Sequence, residues 1–153
     1  MKRIRFYRVN EPYGEFSNFS PHPFELKSRV WPTSEHYFQA QKFAGTEHEE
    51  AVRMAQSPGI AARMGRSRER PLRPDWETVK DGIMREALQA KFSQHPALRS
   101  LLLATGDAEL IEHTGNDNYW ADGGDGSGKN RLGRLLMELR AQFRKQLTNS
   151  LTH

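Results

Sequence analysis

Two long segments of the chain carry apolar residues at the period of an α-helix, which predicts that each helix buries one face. The first follows Asp75, which can cap its N-terminus, and runs to about Ser93. The second runs from Lys129 to about Gln146. The positions expected to face the core are Val79, Ile83, Met84, Ala87 and Leu88 in the first helix, and Leu132, Leu135, Leu136, Leu139 and Phe143 in the second.

Shorter patterns predict the remaining elements. Runs of apolar and β-branched residues predict strands at Ile4 to Val9, Pro23 to Val30 and Leu110 to His113. Capping and breaking residues delimit four further helices, at Ser34 to Ala44 (capped by Thr33), Gly45 to Ala55, Ser57 to Gly65 and Pro96 to Ala104. The strands do not alternate with helices as they do in a doubly wound sheet. The predicted fold class is therefore α+β, mostly helical, in a single compact domain over residues 1–153 with a few short strands.

Composition narrows the class of protein without naming a reaction. A chain of 153 residues suits one domain, and three Trp, four Tyr and eight Phe argue against disorder. The chain has no cysteine, which excludes disulfides and thiolate nucleophiles. Neither a signal peptide nor a run of roughly 20 apolar residues is present, so we expect a soluble cytoplasmic protein with no membrane partner. The six histidines lack the spacing of paired ligands, so we expect no metal and no other cofactor.

The segment from Trp31 to Lys42 contains the first candidate chemistry. Glu35, Gln39 and Lys42 are spaced at i, i+4 and i+7, which places them along one side of a helix, and Trp31 stands just before that helix. These residues could form one side of an active site, and they equally suit a solvent-exposed helix in which Glu35 only complements the helix dipole. A carboxylate near a helix N-terminus tends to stay ionised, which suits stabilising a cation better than donating a proton.

A glycine-rich loop from Gly123 to Gly128 precedes the last helix and matches a P-loop only in part. Asn130 stands where a P-loop carries the Ser or Thr that binds Mg²⁺, and no apolar strand enters the loop, so we do not expect a nucleoside triphosphatase. Glycines before a helix can expose backbone N–H groups to an anion, assisted by Lys129, Asn130 and Arg131. A flexible surface turn fits the same residues.

Other candidate residues lie in polar surroundings. Tyr119 and Trp120 either pack on the core or stack on a flat ligand, and Asp122 adds a second candidate carboxylate. Asn18, between two phenylalanines, suits a buried anchor for a ligand edge or an Asx turn. The arginine-rich loop from Arg66 to Pro74 suits phosphate contacts, but its proline and acidic residues favour a solvated loop.

Taken together, these segments resemble the NADAR family. The resemblance rests on ordered blocks at residues 14–19, 31–43, 61–66, 76–80, 90–92 and 116–133, and it covers the core from about residue 5 to about residue 145. It is closest to the bacterial members that act as N-glycosidases on intermediates of riboflavin biosynthesis. Ala121 departs from the glycine expected there, and its methyl group is expected to narrow the loop without removing the chemistry.

The resemblance implies the same mostly helical domain and a hydrolase acting on N-glycosyl bonds. The implied substrate is a small phosphorylated N-riboside, an early riboflavin-pathway intermediate whose bond between ribose C1 and a pyrimidine amine is cleaved to release ribose 5-phosphate. One alternative is removal of ADP-ribose from guanine in nucleic acid, and only under this alternative is nucleic acid a partner. The other alternative is a non-catalytic module that binds ADP-ribose.

Within that reaction, our hypothesis assigns a role to each candidate residue. Glu35 stabilises the cationic sugar or activates water, and Asp122 or Lys42 supplies the proton. In a second route, Lys42 or Lys80 attacks C1 and forms a Schiff base. The substrate-binding residues are Trp31 and Trp120 for stacking, Asn18 and Gln39 for the pyrimidine edge, Phe19 and Lys80 as further contacts, and Lys129, Asn130 and Arg131 for the 5′-phosphate. The hypothesis requires these distant parts of the chain to form one shared crevice.

Overall fold

A computed structural model describes residues 2–152, with side chains through residue 150. Within that range the elements are β1 (Arg3–Phe6), β2 (Phe24–Leu26), β3 (Arg29–Trp31), α1 (Ser34–Ala40), α2 (Glu47–Arg53), α3 (Pro58–Arg66), α4 (Trp76–Gln94), α5 (Pro96–Ala104), β4 (Glu109–Glu112) and α6 (Arg131–Thr152). The predicted fold class, mostly helical α+β with a few short strands, is confirmed. The predicted single domain begins and ends on residues outside the described range and stays a prediction.

The chain divides into two units, which we call the central unit (Asn18–Lys91) and the terminal unit (Met1–Ser17 with Phe92–His153). In the central unit, α1 packs against α2 and α3, and β2 pairs with β3 in an antiparallel hairpin. In the terminal unit, β1 and β4 form a parallel pair, and α6 packs against β4 and α5. A parallel pair needs a long connection, and β1 and β4 are separated by about a hundred residues of the chain.

The long helices bury the faces that their apolar period predicts. All five inward positions predicted in α6 are buried, and in α4 four of the five are buried, with Val79 half-buried. The predicted start of α6 is two residues early, since the helix begins at Arg131 and Asn130 has a left-handed backbone (φ 50°). No helix in the part of the chain that the structure describes is long and apolar enough to cross a membrane.

The strand predicted from Pro23 to Val30 is wrong, because the chain turns back at its centre. Lys27 and Ser28 both have positive φ values, 56° and 62°, and they connect β2 to β3 as a two-residue hairpin turn. Such turns require a left-handed backbone at both central residues, and Asn-Gly or Asp-Gly is their usual sequence signal. The Lys-Ser pair lacks that signal, and the sequence pattern therefore predicts one continuous strand.

Candidate active site

The N-terminus of α1 is fixed by hydrogen bonds that position Glu35. Thr33 caps the helix, its side chain accepting a hydrogen bond from the backbone N–H of His36 at 3.1 Å. The Asn18 backbone carbonyl accepts a hydrogen bond from the Glu35 N–H at 3.1 Å, and Asn18 Oδ1 accepts one from Ser34 Oγ at 2.8 Å. Asn18 therefore anchors the start of α1, and Glu35 is half-buried in the first helical turn, where the helix dipole favours a carboxylate.

The carboxylate of Glu35 is held by Gln39, as the i, i+4 spacing predicts. Gln39 Nε2 donates to Glu35 Oε2 at 2.8 Å. The Gln39 side chain is only 6% exposed, and its Oε1 atom is buried without a hydrogen-bond partner. That atom lies against Gly65 of α3, where an added Cβ would stand 1.9 Å from Oε1. The absence of a side chain at position 65 therefore leaves the space that the Gln39 amide occupies.

Lys42 follows α1 in a short 3₁₀ helix (Gln41–Phe43) and is partly withdrawn from solvent. Its Nζ donates to the Gly65 carbonyl at 3.3 Å and lies 5.7 Å from the centroid of the Trp76 ring. Burial lowers the pKa of Lys42 to about 8, aided by repulsion from Arg68 and opposed by attraction to Glu35. The same amine is thus available as both acid and base near neutral pH.

The environment of Lys42 includes residues that the sequence reasoning missed. Arg68 donates to the same Gly65 carbonyl as Lys42, and the charges of Arg66 and Lys80 further lower the Lys42 pKa. The start of the arginine-rich loop therefore belongs to the site, although its composition favoured a solvated loop. No spacing rule connects Arg68 to Lys42, because their proximity arises from the packing of α1 against α3.

Lys80 and Phe19 keep positions compatible with the roles predicted for them. Lys80 Nζ donates to Glu77 Oε1 at 2.7 Å along α4, and its side chain is 15% exposed. Phe19 is 41% exposed, which is high for a phenylalanine, so its ring is accessible to a ligand. Their binding of substrate stays a prediction.

Trp31 does not fit the stacking role predicted for it. Its side chain has no exposed surface, its indole N–H donates to the Leu26 carbonyl at 2.8 Å, and its ring meets Tyr37 edge-on with centroids 4.9 Å apart. A ring that is covered on all sides cannot stack on a ligand in this conformation. The correction is that Trp31 belongs to the core of the central unit, closing the β2–β3 hairpin over α1.

In the terminal unit, Asp122 organises a loop. Its carboxylate accepts hydrogen bonds from His113 Nδ1 at 2.7 Å, from the Thr114 N–H at 3.1 Å and from the Gly124 N–H at 2.9 Å. Burial alone would raise the pKa of Asp122, but these hydrogen bonds outweigh it and the pKa is lowered. A carboxylate that stays ionised and is engaged in this way suits loop positioning better than proton donation.

The start of α6 offers side chains to an anion but not its backbone. The N–H groups of residues 129, 130, 131 and 132 donate to carbonyls of the preceding loop, at Asn118, Ala121, Tyr119 and Trp120, over 2.9 to 3.0 Å. The exposed backbone N–H groups predicted before this helix are thus already occupied. The Asn130 amide is engaged too, donating to the Leu110 carbonyl at 2.9 Å and accepting from the Glu112 N–H at 3.0 Å.

Trp120 remains a candidate stacking residue. It is half-exposed, and its ring meets that of Tyr119 edge-on at 4.9 Å, while Lys129 Nζ lies 5.4 Å from the Tyr119 centroid. Arg131, in the first turn of α6, is half-exposed as well. Among the described residues, no group of three or more His, Asp or Glu side chains is arranged to hold a metal ion.

The predicted site residues are thus distributed over both units. The central unit contains Asn18, Phe19, Trp31, Glu35, Gln39, Lys42 and Lys80, and the terminal unit contains Trp120, Asp122, Lys129, Asn130 and Arg131. The structure brings Glu35, Gln39 and Lys42 together around Gly65. The shared crevice that would join them to the residues of the terminal unit stays a prediction.

Comparison with known proteins places the chain among N-glycosidase-like proteins. The NADAR domain model matches residues 5–144. Over 140 residues the chain is 60% identical to N-glycosidase YbiA of Escherichia coli, covering 92% of this chain and 88% of the relative. An NMR structure of E. coli YbiA superposes with a TM-score of 0.88 at 56% identity, covering 99% of this chain and 89% of that chain.

Two more distant relatives match nearly the whole chain. N-glycosidase Npun_R5314 of Nostoc punctiforme is 45% identical over 148 residues, which cover 95% of each chain. The chloroplastic riboflavin biosynthesis protein PYRR of Zea mays is 41% identical, with 92% of this chain matching 25% of the longer plant protein. The NADAR model covers residues 5–144, and the 60% identity with YbiA extends over 140 residues. The chain therefore belongs to the NADAR family.

Proposed function

We propose that this protein is an N-glycosidase that hydrolyses the bond between ribose C1 and the pyrimidine amine in early phosphorylated intermediates of riboflavin biosynthesis. The names of the relatives support the class of enzyme and the pathway. The observation that carries the proposal is the pairing of two groups in the central unit. Glu35 is fixed by Gln39, and beside it Lys42 has a pKa of about 8.

In the proposed reaction, the C1–N bond breaks as water adds to C1. The sugar becomes cationic in the transition state, and the ionised carboxylate of Glu35 stabilises that charge or takes a proton from the attacking water. The ammonium group of Lys42 gives its proton to the departing amine nitrogen. The products are ribose 5-phosphate and the free aminopyrimidine. Where Glu35 takes the proton of the attacking water, transfer of that proton to the Lys42 amine restores the starting state. Where Glu35 only stabilises the cation, the proton released by the added water passes to solvent, and solvent reprotonates Lys42.

Lys42 is the better of the two proton donors considered. Asp122 is held ionised by three hydrogen bonds, whereas Lys42 exchanges its proton near neutral pH. We assign Asp122 the role of positioning the loop that carries Trp120, whose ring would stack on the pyrimidine. Lys129 and Arg131 remain the side chains proposed for the 5′-phosphate.

A covalent route uses the same lysine. With the ribose ring open, C1 is joined to the pyrimidine nitrogen as an imine, and the neutral Lys42 amine would attack C1. The aminopyrimidine leaves with a proton as a Schiff base forms between Lys42 and C1, and water then hydrolyses that Schiff base to ribose 5-phosphate and the free lysine. Lys80 is the weaker nucleophile candidate because its ammonium group is paired with Glu77. Borohydride reduction during turnover distinguishes the routes, since only the covalent route leaves a stable sugar adduct on Lys42.

The test of the proposed function is release of ribose 5-phosphate from the phosphoribosylaminopyrimidine substrate. Glu35→Gln should lower kcat by about 10²-fold or more while the protein stays folded. Glu47→Gln is the matched control, because Glu47 also lies in the first turn of a helix capped by threonine, but it is exposed. Equal rates for Glu35→Gln and wild type would remove Glu35 from the mechanism, and no release by wild type would refute the function.

A second candidate function is supported by Arg66 and Arg68, which are exposed and close enough to shift the pKa of Lys42. Such cations suit the phosphates of a larger substrate, as in removal of ADP-ribose from guanine in nucleic acid. Turnover of ADP-ribosylated DNA that falls steeply with salt would favour this function over the first.

A further inference from the structure

The terminal unit contains a cleft of about 490 Å³, and among its charged lining residues only Lys129 and Asp122 have been given a role above. Arg3 and Arg5 line it from β1, Arg134 lines it from the first turn of α6, and Lys129 lines it from the loop just before that helix. Arg3 and Arg5 are two residues apart on a strand, so both side chains leave the same face of β1. The cleft thus collects four cationic side chains from two elements that are distant in the sequence.

The carboxylates that line the cleft are already engaged. Glu109 pairs with Arg3 at 3.4 Å, and Asp122 is held by His113 and two backbone N–H groups. The side chains of Arg5 and Arg134, in contrast, make no hydrogen bond or ion pair with any described residue. Four cations less two carboxylates leave a net charge of +2 in the lining. Two guanidinium groups remain available to an anion.

The cleft also has an apolar part. Ile111 of β4 is 8% exposed and Met137 of α6 is half-buried, and both line the same space. A net charge of +2 matches a phosphomonoester dianion, and guanidinium groups bind phosphate oxygens through paired hydrogen bonds. The apolar part offers contact to the organic portion of a small ligand. A continuous nucleic-acid strand is less suited, since the cations line one concave space that also contains two carboxylates.

We propose that this cleft binds the phosphomonoester group of a small phosphorylated molecule, held by Arg5 and Arg134 with assistance from Lys129. Two sources share that chemistry. One is the phosphate of the N-riboside substrate, and this identification of the ligand rests on the proposed function. The other is a separate phosphorylated metabolite. Binding itself requires neither Glu35 nor Lys42, so the cleft can be tested without turnover.

Calorimetric titration of the full chain with ribose 5-phosphate and with inorganic phosphate tests the proposal. Wild type and Glu35→Gln should both show saturable binding. The double variant Arg5→Ala/Arg134→Ala should weaken it by about 10-fold or more, as expected for loss of charge-assisted contacts. The matched control is Arg8→Ala/Lys145→Ala, which removes two exposed charges of the same unit that do not line the cleft and should stay within about twofold. Melting temperatures check that both variants are folded.

Three results would overturn the proposal. These are absence of saturable binding to wild type, equal weakening in the control variant, and binding of an oligonucleotide but not of the phosphomonoesters. Kinetics then identify the source of the phosphate. A raised KM with unchanged kcat in the double variant assigns it to the substrate, whereas unchanged turnover with lost binding assigns it to a separate ligand.

Discussion

Replacing Gly65 with alanine should disturb the site without touching any charged group. Gly65 is buried in α3, and the new Cβ would stand 1.9 Å from Gln39 Oε1 and 2.7 Å from Gln39 Cδ. Contacts this short force the Gln39 amide to move. Because the same amide holds Glu35 through a 2.8 Å hydrogen bond, displacing it should remove that hydrogen bond from the carboxylate.

The expected cost combines three contributions. Overpacking a filled space costs about 1–3 kcal/mol, and losing a hydrogen bond to a charged group costs about 1.5–3 kcal/mol, with overlap between the two. Alanine in a helix regains about 0.5–1 kcal/mol relative to glycine. The free energy of unfolding should therefore fall by roughly 2 kcal/mol, which lowers the Tm by roughly 4–8 °C for a chain of this size.

Thermal melting and ribose 5-phosphate release should be measured together, with Gly59→Ala as the control. Gly59 lies in the same helix, and the nearest atom to its added Cβ is 3.8 Å away, so alanine there should stabilise by about 0.5–1 kcal/mol and leave kcat unchanged. In Gly65→Ala, loss of the hydrogen bond from Gln39 to Glu35 should reduce kcat by about 10-fold or more.

The refuting result is a Gly65→Ala protein that melts and turns over like wild type. A second measurement tests the cause through a double-mutant cycle. Truncating Gln39 to alanine removes the atoms that the new Cβ meets, so Gly65→Ala should cost much less stability in that background. Additive costs would show that the penalty arises somewhere other than the Gln39 amide.

The remaining predictions concern protonation, the loop and the aromatic residues. Burial lowers the pKa of Lys42 from 10.5 to about 8, so the unfolded chain binds the lysine proton more tightly than the folded protein does. The free energy of unfolding, measured by denaturant titration, should therefore rise between pH 8 and 10.5, and it should rise less in Lys42→Met. If Lys42 donates the proton, turnover should fall as the pH is raised above about 8. If the neutral amine attacks C1 instead, turnover should increase as the pH is raised to about 8. Asp122→Ala should lower the free energy of unfolding by more than about 2 kcal/mol, whereas Asp125→Ala, exposed in the same loop, should lower it clearly less, by the same titration. Trp31→Ala should lower the free energy of unfolding by about 3–5 kcal/mol. Phe19→Ala should lower it by about 1 kcal/mol or less, but should raise KM in the ribose 5-phosphate assay.

Local patterns predicted the helical parts of the fold. In α6, the period of 3.6 residues predicted five inward-facing apolar positions, and all five are buried. A helix that packs against a core buries one apolar face, and this face can be recognised without knowing which elements the helix packs against. Thr33 likewise predicted the start of α1, where its side chain accepts the His36 N–H. The turn at Lys27 and Ser28 was missed because its left-handed backbone is carried by residues that rarely adopt it.

The candidate site could be predicted only where it is local. The Glu35–Gln39 bond follows from i, i+4 spacing, whereas Gly65 and Arg68 enter through the packing of α1 against α3. The stacking role predicted for Trp31 requires an accessible ring, but the hairpin folds this ring inward, where it has no exposed surface. Burial of a single ring depends on the tertiary fold and has no signature in the spacing of its neighbours.

The charges around Lys42 explain how one residue could serve the proposed chemistry at neutral pH. A solvated lysine has a pKa near 10.4, so less than about 0.1% of it is neutral at pH 7. With a pKa of about 8, roughly a tenth of Lys42 is neutral at pH 7, while the remainder can still donate a proton. Burial lowers the pKa of Lys42 most, the charges of Arg68 and Arg66 lower it further, and the charge of Glu35 raises it. A phosphate that bound Arg66 and Arg68 would partly cancel their repulsion and raise the Lys42 pKa, which would place the proton on the amine as the substrate arrives.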